Sequence, residues 1–445
     1  MTKPVKVRFA PSPTGLLHVG NIRTALVNWL FCRKVGGTFL LRMDDTDVAR
    51  STEAFAEAIE RDLTWLGLNW DETARQSDRF DRYEQARDKL KADGRLYACY
   101  ESGQELELKR KVQLGQGKPP VYDRAGLALT DAEKADFGAE GRKAHWRFKL
   151  DLPARVEWQD LVKGRQSFDL AALSDPVLIR EDGSFLYTLP SVVDDIDFGI
   201  THIMRGEDHA ANSAVQTQLF EALGGSAPEY AHFSLLTGAG GEGLSKRLGT
   251  ASIQSYRDED GLEAMSINSL LARLGSSESI EPMTSIKPLI DGFDFAKYSR
   301  SSAKFDPKDL EILNAKILHQ TDFAAVADRL DGVDEALWTI GRGNITKLND
   351  INELKVIVKG PLEPVIADPA FAAQAAELLP AAPWDATSWK SWTTAVKEAT
   401  GAKGRALFMP LRQAITGMDH GPEMGLLLPL IDPEIVKARL LGKTA

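Results

Sequence analysis

The stretch Ala10 to Asn21 (APSPTGLLHVGN) carries the first residues whose types and spacing could do chemistry. His18 and Gly20 stand where a proline- and glycine-rich loop gives way to apolar residues at helical spacing, Ile22, Leu26, Trp29 and Leu30. A helix start offers unpaired backbone N–H groups and the positive end of the helix dipole, which together attract phosphate. Gly20 would let a flat ring or a phosphate approach the backbone with no Cβ in the way. His18 could donate a hydrogen bond to a phosphoryl oxygen as charge develops on it. Alone, a His-x-Gly is ordinarily no more than a helix cap. The second group is Lys246, in Leu244-Ser245-Lys246-Arg247, flanked by Gly238, Gly240, Gly241, Gly243 and Gly249. Glycines on both sides predict a movable loop, and a movable cation suits a triphosphate attacked at its α-phosphorus. A Ser-Lys-Arg alone is usually exposed surface; the two groups in this order say more than either.

These residues need a scaffold. Val5 to Ala10 reads as a short strand ended by Pro11-Ser12-Pro13-Thr14-Gly15, Asn21 to Arg33 as a helix, and Thr38 to Met43 as a second buried strand. That order is a parallel β-α-β opening with a right-handed crossover, and such sheets bind ligands beyond the carboxyl ends of their strands. Ser51-Thr52-Glu53 with Glu57 opens an acidic helix ending near Leu66-Gly67. From about Tyr100 to Pro176 the texture changes: a charged helix, Gln104 to Val112, then a Gly/Pro segment, then Ala144 to Leu150 as a strand. We read residues 100–176 as an insertion dividing a nucleotide-type domain into 1–99 and 177–257. The second half resumes as strands over Val177 to Arg180, Phe185 to Thr188 and Ile200 to Arg205. Beyond about Arg257 the chain is richly helical, with a linker expected near Lys304 to Pro307, which separates 258–305 from 306–445.

The bulk numbers set bounds. A length of 445 residues suggests about three domains, and 43% hydrophobic with 27% charged residues fits a chain with a sizeable core. No apolar run approaches the ~20 residues that span a bilayer, and the start has no signal-peptide stretch. Two cysteines, Cys32 and Cys99, argue against a disulfide framework and for a reducing, cytoplasmic setting. A net charge of −10 is a weak argument against nucleic acid, because RNA is met by local basic faces. Lys109-Arg110-Lys111, Lys118, Lys403, Arg405 and Arg412 are local basic positions, so charge decides nothing here.

His-Val-Gly-Asn and Leu-Ser-Lys-Arg, on a split α/β sheet, resemble the two signature motifs of class I aminoacyl-tRNA synthetases. More narrowly, the sequence resembles the glutamyl-tRNA synthetases in RFAPSPTGLLHVGN, GGTFLLRMDDTD, LGLNWDE, DLVKGRQSFD, LPSVVDDIDFGITHIMRGEDH and the SKR loop. Weaker matches run from KFDPKDLEILN to GRALFMPLRQAITGMDHGPEMG, so the resemblance spans nearly the whole chain. It implies a Rossmann-like catalytic domain, an inserted α+β acceptor-end domain, a small stem-contact region, and an all-helical anticodon-binding region. The implied reaction activates L-glutamate with ATP and magnesium to glutamyl-adenylate, then transfers it to the 3′ end of tRNA-Glu, with tRNA-Gln open as a second acceptor. A monomer is expected. By the same resemblance His18, Gly20 and Lys246 are the catalytic, ATP-handling positions, with Asp208 near the ribose. Arg8 would take the substrate's side-chain carboxylate, Arg205 would select glutamate over glutamine, Tyr187 and Ser12 would line the amino-acid pocket, and Asp44 would receive the α-ammonium. Arg342 is the candidate anticodon contact, against the competing reading of a surface arginine.

Three positions depart from the family pattern. Asp44 stands for the usual glutamate, Gly243 for a frequent lysine and Ser191 for a frequent asparagine. Some members carry a cysteine-ligated zinc in the insertion; this chain has only Cys99 there, and zinc takes about four ligands, so no structural zinc is expected. The nearest alternatives are a glutaminyl enzyme, opposed by Ala-Pro-Ser-Pro-Thr-Gly and Arg205, and a truncated relative that glutamylates a tRNA base, opposed by residues 306–445. From another class, a non-catalytic RNA-binding paralogue is opposed by intact His18, Gly20 and Lys246.

Overall fold

The structure, a computed structural model, describes residues 4–238, 240 and 251–445. It divides into two compact units: one of Met1–Tyr256, Ile267–Ile280 and Ser285–Asp306, the other of Arg257–Ser266, Glu281–Thr284 and Pro307–Ala445. The first unit opens with β1 (Lys6–Phe9), the helix Val19–Val35 and β2 (Thr38–Met43). β1 and β2 are parallel, with Val7 opposite Phe39, and β3 (Glu72–Arg75) lies parallel to β2 on its far side. β1 and β2 are buried from their second residue on, as expected where both faces of a parallel sheet are covered. The helix Val19–Val35 closes on Gly36 at φ 65°, whose N–H reaches the carbonyls of Cys32 and Arg33; a residue without Cβ adopts that left-handed turn freely.

The chain then changes to antiparallel pairing. β4 (Leu96–Cys99) pairs antiparallel with β5 (His145–Phe148), β6 (Arg155–Asp160) and β7 (Gly164–Asp169) form an antiparallel hairpin, and β8 (Val177–Ile179) pairs with β5. Phe185 to Thr188 is not a strand: Phe185 makes one bridge to Ile179, and Thr188 begins the helix Thr188–Asp197. The apolar run there serves a helix that buries Leu189, Val192 and Val193. β9 (His202–Gly206) and β10 (Glu229–Phe233) are parallel and are joined through the helix Ala210–Ala222. Thr201, just before β9, donates its N–H to the Lys6 carbonyl at 2.9 Å, which sets β9 beside β1. β1 therefore has β2 on one side and β9 on the other, the place where strand order reverses. β11 (Leu236–Gly238) pairs with β12 (Ala303–Phe305), so part of the stretch expected as linker is a strand instead; Ala303 and Phe305 are buried and Lys304 is exposed, a period-2 pattern too short to stand out in sequence.

The second unit is helical among its described residues, with a core around Trp338, Leu354, Trp392 and Leu411. Arg439, fully buried, donates to the carbonyls of Ile357 at 2.6 Å and Ile415 at 2.8 Å. Both carbonyls lie in the last turns of their helices, where a cation is favoured. No described helix is long and apolar enough to cross a membrane.

Candidate active site

Arg8, Arg42 and Arg205 are each the next-to-last residue of β1, β2 and β9. Parallel strands bring three guanidiniums to the same end of adjacent strands. Buried arginines need partners, and the helix Thr188–Asp197 supplies two. Asp195 accepts from Arg8 Nε at 3.2 Å and from Arg42 Nη1 at 2.8 Å. Asp194 accepts from Arg79, Gln76 and Tyr83, with Arg42 Nε at 3.7 Å. Asp44 takes Arg42 as a fork, at 2.6 and 3.2 Å, and lies 3.5 Å from the Ser191 hydroxyl. Burial pushes the Asp44 carboxyl up, against the pull of Arg42. Burial would raise Asp195 as well, but Arg8 and Arg42 outweigh it and hold it below the ordinary carboxylate range.

The charges do not cancel. Arg79 and Arg82 are matched by Asp194 and Asp197. That leaves Arg8, Arg42 and Arg205 against Asp44 and Asp195, one positive charge in excess, and a proton on Asp44 would only add to it. Burial, and after it repulsion from Arg8, brings Arg205 down to about 10. Its Nη2 donates to Ser213 and Gln216, while its Nε has no partner among the described residues. One more buried negative charge would balance the cluster.

The other expected residues lie as follows. Ser12, Asp44 and Tyr187 line one cavity of about 690 Å³, together with Gln76 and Arg180. Tyr187 is 43% exposed and meets His209 edge-on. His18 is the N-cap of the helix Val19–Val35: its Nδ1 accepts the Gly20 N–H at 3.1 Å and its own N–H donates to Asn21. A neutral ring so placed carries its proton on Nε2. A Cβ on Gly20 would stand 3.0 Å from the ring, so the glycine makes room for the imidazole cap. Asp208 is exposed, 3.7 Å from His209. Lys246 and Gly243 lie outside the described residues. Arg342, in the second unit, donates to the Thr321 carbonyl at 2.7 Å and sits 3.6 Å from Asp322, contacts that anchor it within its own fold.

Sequence reasoning assigned no role to Arg42, Asp194 or Asp195. The signal was present: an arginine inside the apolar strand TFLLRM and two acids inside VVDDID must be buried, and buried charge requires partners. It also counted cysteines and so overlooked a mixed cluster, in which Cys99 Sγ and ligand atoms of Glu101 and His145 lie within 4.8 Å of one another. Cys99 Sγ accepts from Tyr122, whose hydroxyl also meets Glu101, and Lys109 pairs with Glu101. Glu101 Oε2 and His145 Nε2 have no partner among the described residues. The set offers three donors, one short of a closed zinc site.

Residues 4–312 match the family model described as "tRNA synthetases class I (E and Q), catalytic domain", and residues 367–442 match an "Anticodon binding domain". The chain is 57% identical to "Glutamate--tRNA ligase 1" of Maricaulis maris (strain MCS10) over 99% of its own length and all of that protein's. It is 56% identical to "Glutamate--tRNA ligase 2" of Methylobacterium sp. (strain 4-46), over 99% of both chains. Among solved structures it resembles a glutamate tRNA ligase of Elizabethkingia meningosepticum CCUG26117 in complex with its amino acid, at a TM-score of 0.84 and 27% identity over 98% of both chains. With both models matched in order, and with full-length relatives at such identity, the chain belongs to the class I tRNA synthetases of the glutamate and glutamine type, and within them to the glutamate–tRNA ligases.

Proposed function

We infer that this chain activates L-glutamate with ATP and esterifies it to the 3′ end of tRNA-Glu, and that it distinguishes its amino acid by charge. The single unmatched positive charge at the strand ends carries this reading. Glutamate brings one net negative charge to it, and glutamine brings none. A buried cation left without a counter-charge opposes the neutral amide. Arg8 and Arg205 take the side-chain carboxylate, Asp44 receives the α-ammonium, and Ser12 and Tyr187 form the walls. The α-carboxylate then attacks the α-phosphorus of ATP, which enters as its magnesium salt, and pyrophosphate leaves. The terminal ribose hydroxyl of the tRNA attacks the adenylate in turn. No enzyme nucleophile is needed: His18, the helix start at Gly20 and Lys246 act by alignment and by holding phosphate charge, with Asp208 near the ribose.

The domain reading follows: residues 100–176 meet the acceptor end, 258–305 the stem and 306–445 the anticodon, with Arg342 the candidate contact there. The enzyme is taken as a cytoplasmic monomer. Parallel glutamylation of tRNA-Glu and tRNA-Gln transcripts, with a Lys246→Ala control, tests this. Charging of tRNA-Glu that the control loses supports the reading, and no charging of either transcript sinks it. The Cys99 cluster is read as a hydrogen-bonded thiol, pushed up to about 11 by burial, and not as a structural zinc. Zinc measured far below one equivalent per purified chain is the expected result, and one tightly held equivalent would reject it.

A further inference from the structure

Arg205 is held from behind by three residues to which the family motifs give no task. Its Nη2 donates to Ser213 Oγ at 2.5 Å, on the helix Ala210–Ala222. Ser213 Oγ lies 2.8 Å from Nε2 of His232, on β10. His232 Nδ1 lies 2.5 Å from Asp160 Oδ2, at the end of β6. All three side chains are buried, Ser213 and His232 at no more than 1% exposure. Asp160 is itself immobilised: its Oδ1 accepts the N–H groups of Val162, Lys163 and His232 at 3.0, 2.9 and 3.1 Å, and its Oδ2 accepts from Trp158.

One arrangement of donors and acceptors runs unbroken through these side chains. An ionised carboxylate only accepts, so His232 carries its proton on Nδ1. With Nε2 as the acceptor, the Ser213 hydroxyl donates to it, at 2.8 Å against 3.3 Å for the competing His209 carbonyl. The Ser213 oxygen thereby turns its lone pairs to the guanidinium. Every bond from Arg205 to Asp160 points the same way, and each polarises the next. The constellation has the residue types of a hydrolytic triad, but Ser213 is buried and taken by Arg205, so it is no nucleophile.

We propose that Asp160, His232 and Ser213 form a positioning relay that fixes the Arg205 guanidinium and so sets how strongly the site prefers a carboxylate over a carboxamide. The relay also ties the hairpin β6–β7 to the specificity arginine. The inference rests on the reading that Arg205 meets the substrate's side chain.

The test is pyrophosphate exchange with the full-length enzyme and tRNA present, measuring KM for glutamate and for ATP and the glutamate-over-glutamine ratio in kcat/KM. Ser213→Ala removes the link. His232→Asn keeps a donor for Asp160 but lacks the acceptor for Ser213, which covers the case in which one variant fails to fold. Each is expected to raise the glutamate KM about tenfold and to narrow the ratio about as much, with the ATP KM within about twofold. Ser213→Thr, which keeps the hydroxyl, should recover most of the preference. Folded variants with unchanged glutamate KM and preference would overturn the relay, as would glutamate and ATP KM values rising together. Arg205→Ala separates the two ideas. If it raises the glutamate KM and the relay variants do not, the relay alone is wrong; if it leaves that KM unmoved, the reading of Arg205 fails and the relay falls with it.

Discussion

Arg8, Arg42 and Arg205 share a buried space with Asp44 and Asp195, and what that space accepts follows from the count of charges. Arg205→Gln removes the unmatched charge and leaves an amide in its place. Loss of a buried, hydrogen-bonded charge partner costs about 3 kcal/mol, so glutamate kcat/KM should fall about 100-fold or more while glutamine loses far less. Steady-state kinetics with both amino acids would show it, and equal losses for the two would contradict the charge reading. At this scale the sequence was legible wherever a residue type had one plausible task. Arg8 and Asp44 are linked through Asp195 and Arg42, and Arg205 lies near enough to Arg8 to be repelled by it. Arg42 was invisible as a site residue because a strand pattern says where a side chain is buried and not what it is buried against. His18 shows the opposite limit, since the bland reading and the chemical one concern the same atoms: the ring caps its helix, and the cap fixes its Nε2 proton.

Among the elements, the start of the helix Val19–Val35 and the hairpin β6–β7 each make a measurable demand. Gly20 sits in the first turn, where alanine would ordinarily stabilise a helix by up to about 1 kcal/mol. Its Cβ would instead press on the His18 ring at 3.0 Å. Gly20→Ala should therefore leave the melting temperature unchanged or slightly raised and lower the rate of pyrophosphate exchange; loss of both together would mean that the glycine serves folding alone. At the hairpin, burial would raise Asp160, but hydrogen bonds from His232 and from the backbone N–H groups of Lys163 and His232 outweigh it and bring the carboxyl down to about 2. A carboxyl depressed on folding contributes stability above its unfolded value, and that contribution fades as pH falls through the folded one. The contribution is worth about 2 kcal/mol, present above about pH 5 and lost towards about pH 2. Denaturant midpoints of Asp160→Asn should lie below those of the parent near neutrality and converge with them in acid; a gap independent of pH would assign the loss to shape and not to charge. The opening strands were readable because Pro11 ends the first apolar run and Gly36-Gly37 precede the second. Phe185 to Thr188 and the strand Ala303–Phe305 were not, because runs this short do not distinguish strand, helix start and linker, and tertiary pairing decides.

For the molecule as a whole, net charge and function point in different directions. A chain of net charge −10 that esterifies tRNA must meet its polyanion through local basic faces, and such contacts weaken as counterions accumulate. The KM for tRNA should rise at least about tenfold between about 50 and 200 mM salt. The KM for glutamate, which the proposed site would hold at charges that salt screens little, should change far less. Parallel titrations would decide this, and a tRNA KM indifferent to salt would speak against electrostatic docking. The parallel strands and the helical second unit were legible because motif order and texture change along the chain. The residues behind Arg205 were not, because Asp160, Ser213 and His232 lie up to 72 positions apart and meet only through packing. The most direct measurement is esterification of a purified tRNA-Glu transcript by the intact chain, with L-glutamate and L-glutamine supplied in separate reactions. Glutamate should be charged, and glutamine at least about 1,000-fold less efficiently. Absence of charging, or glutamine charged as readily as glutamate, would contradict the reading of the site.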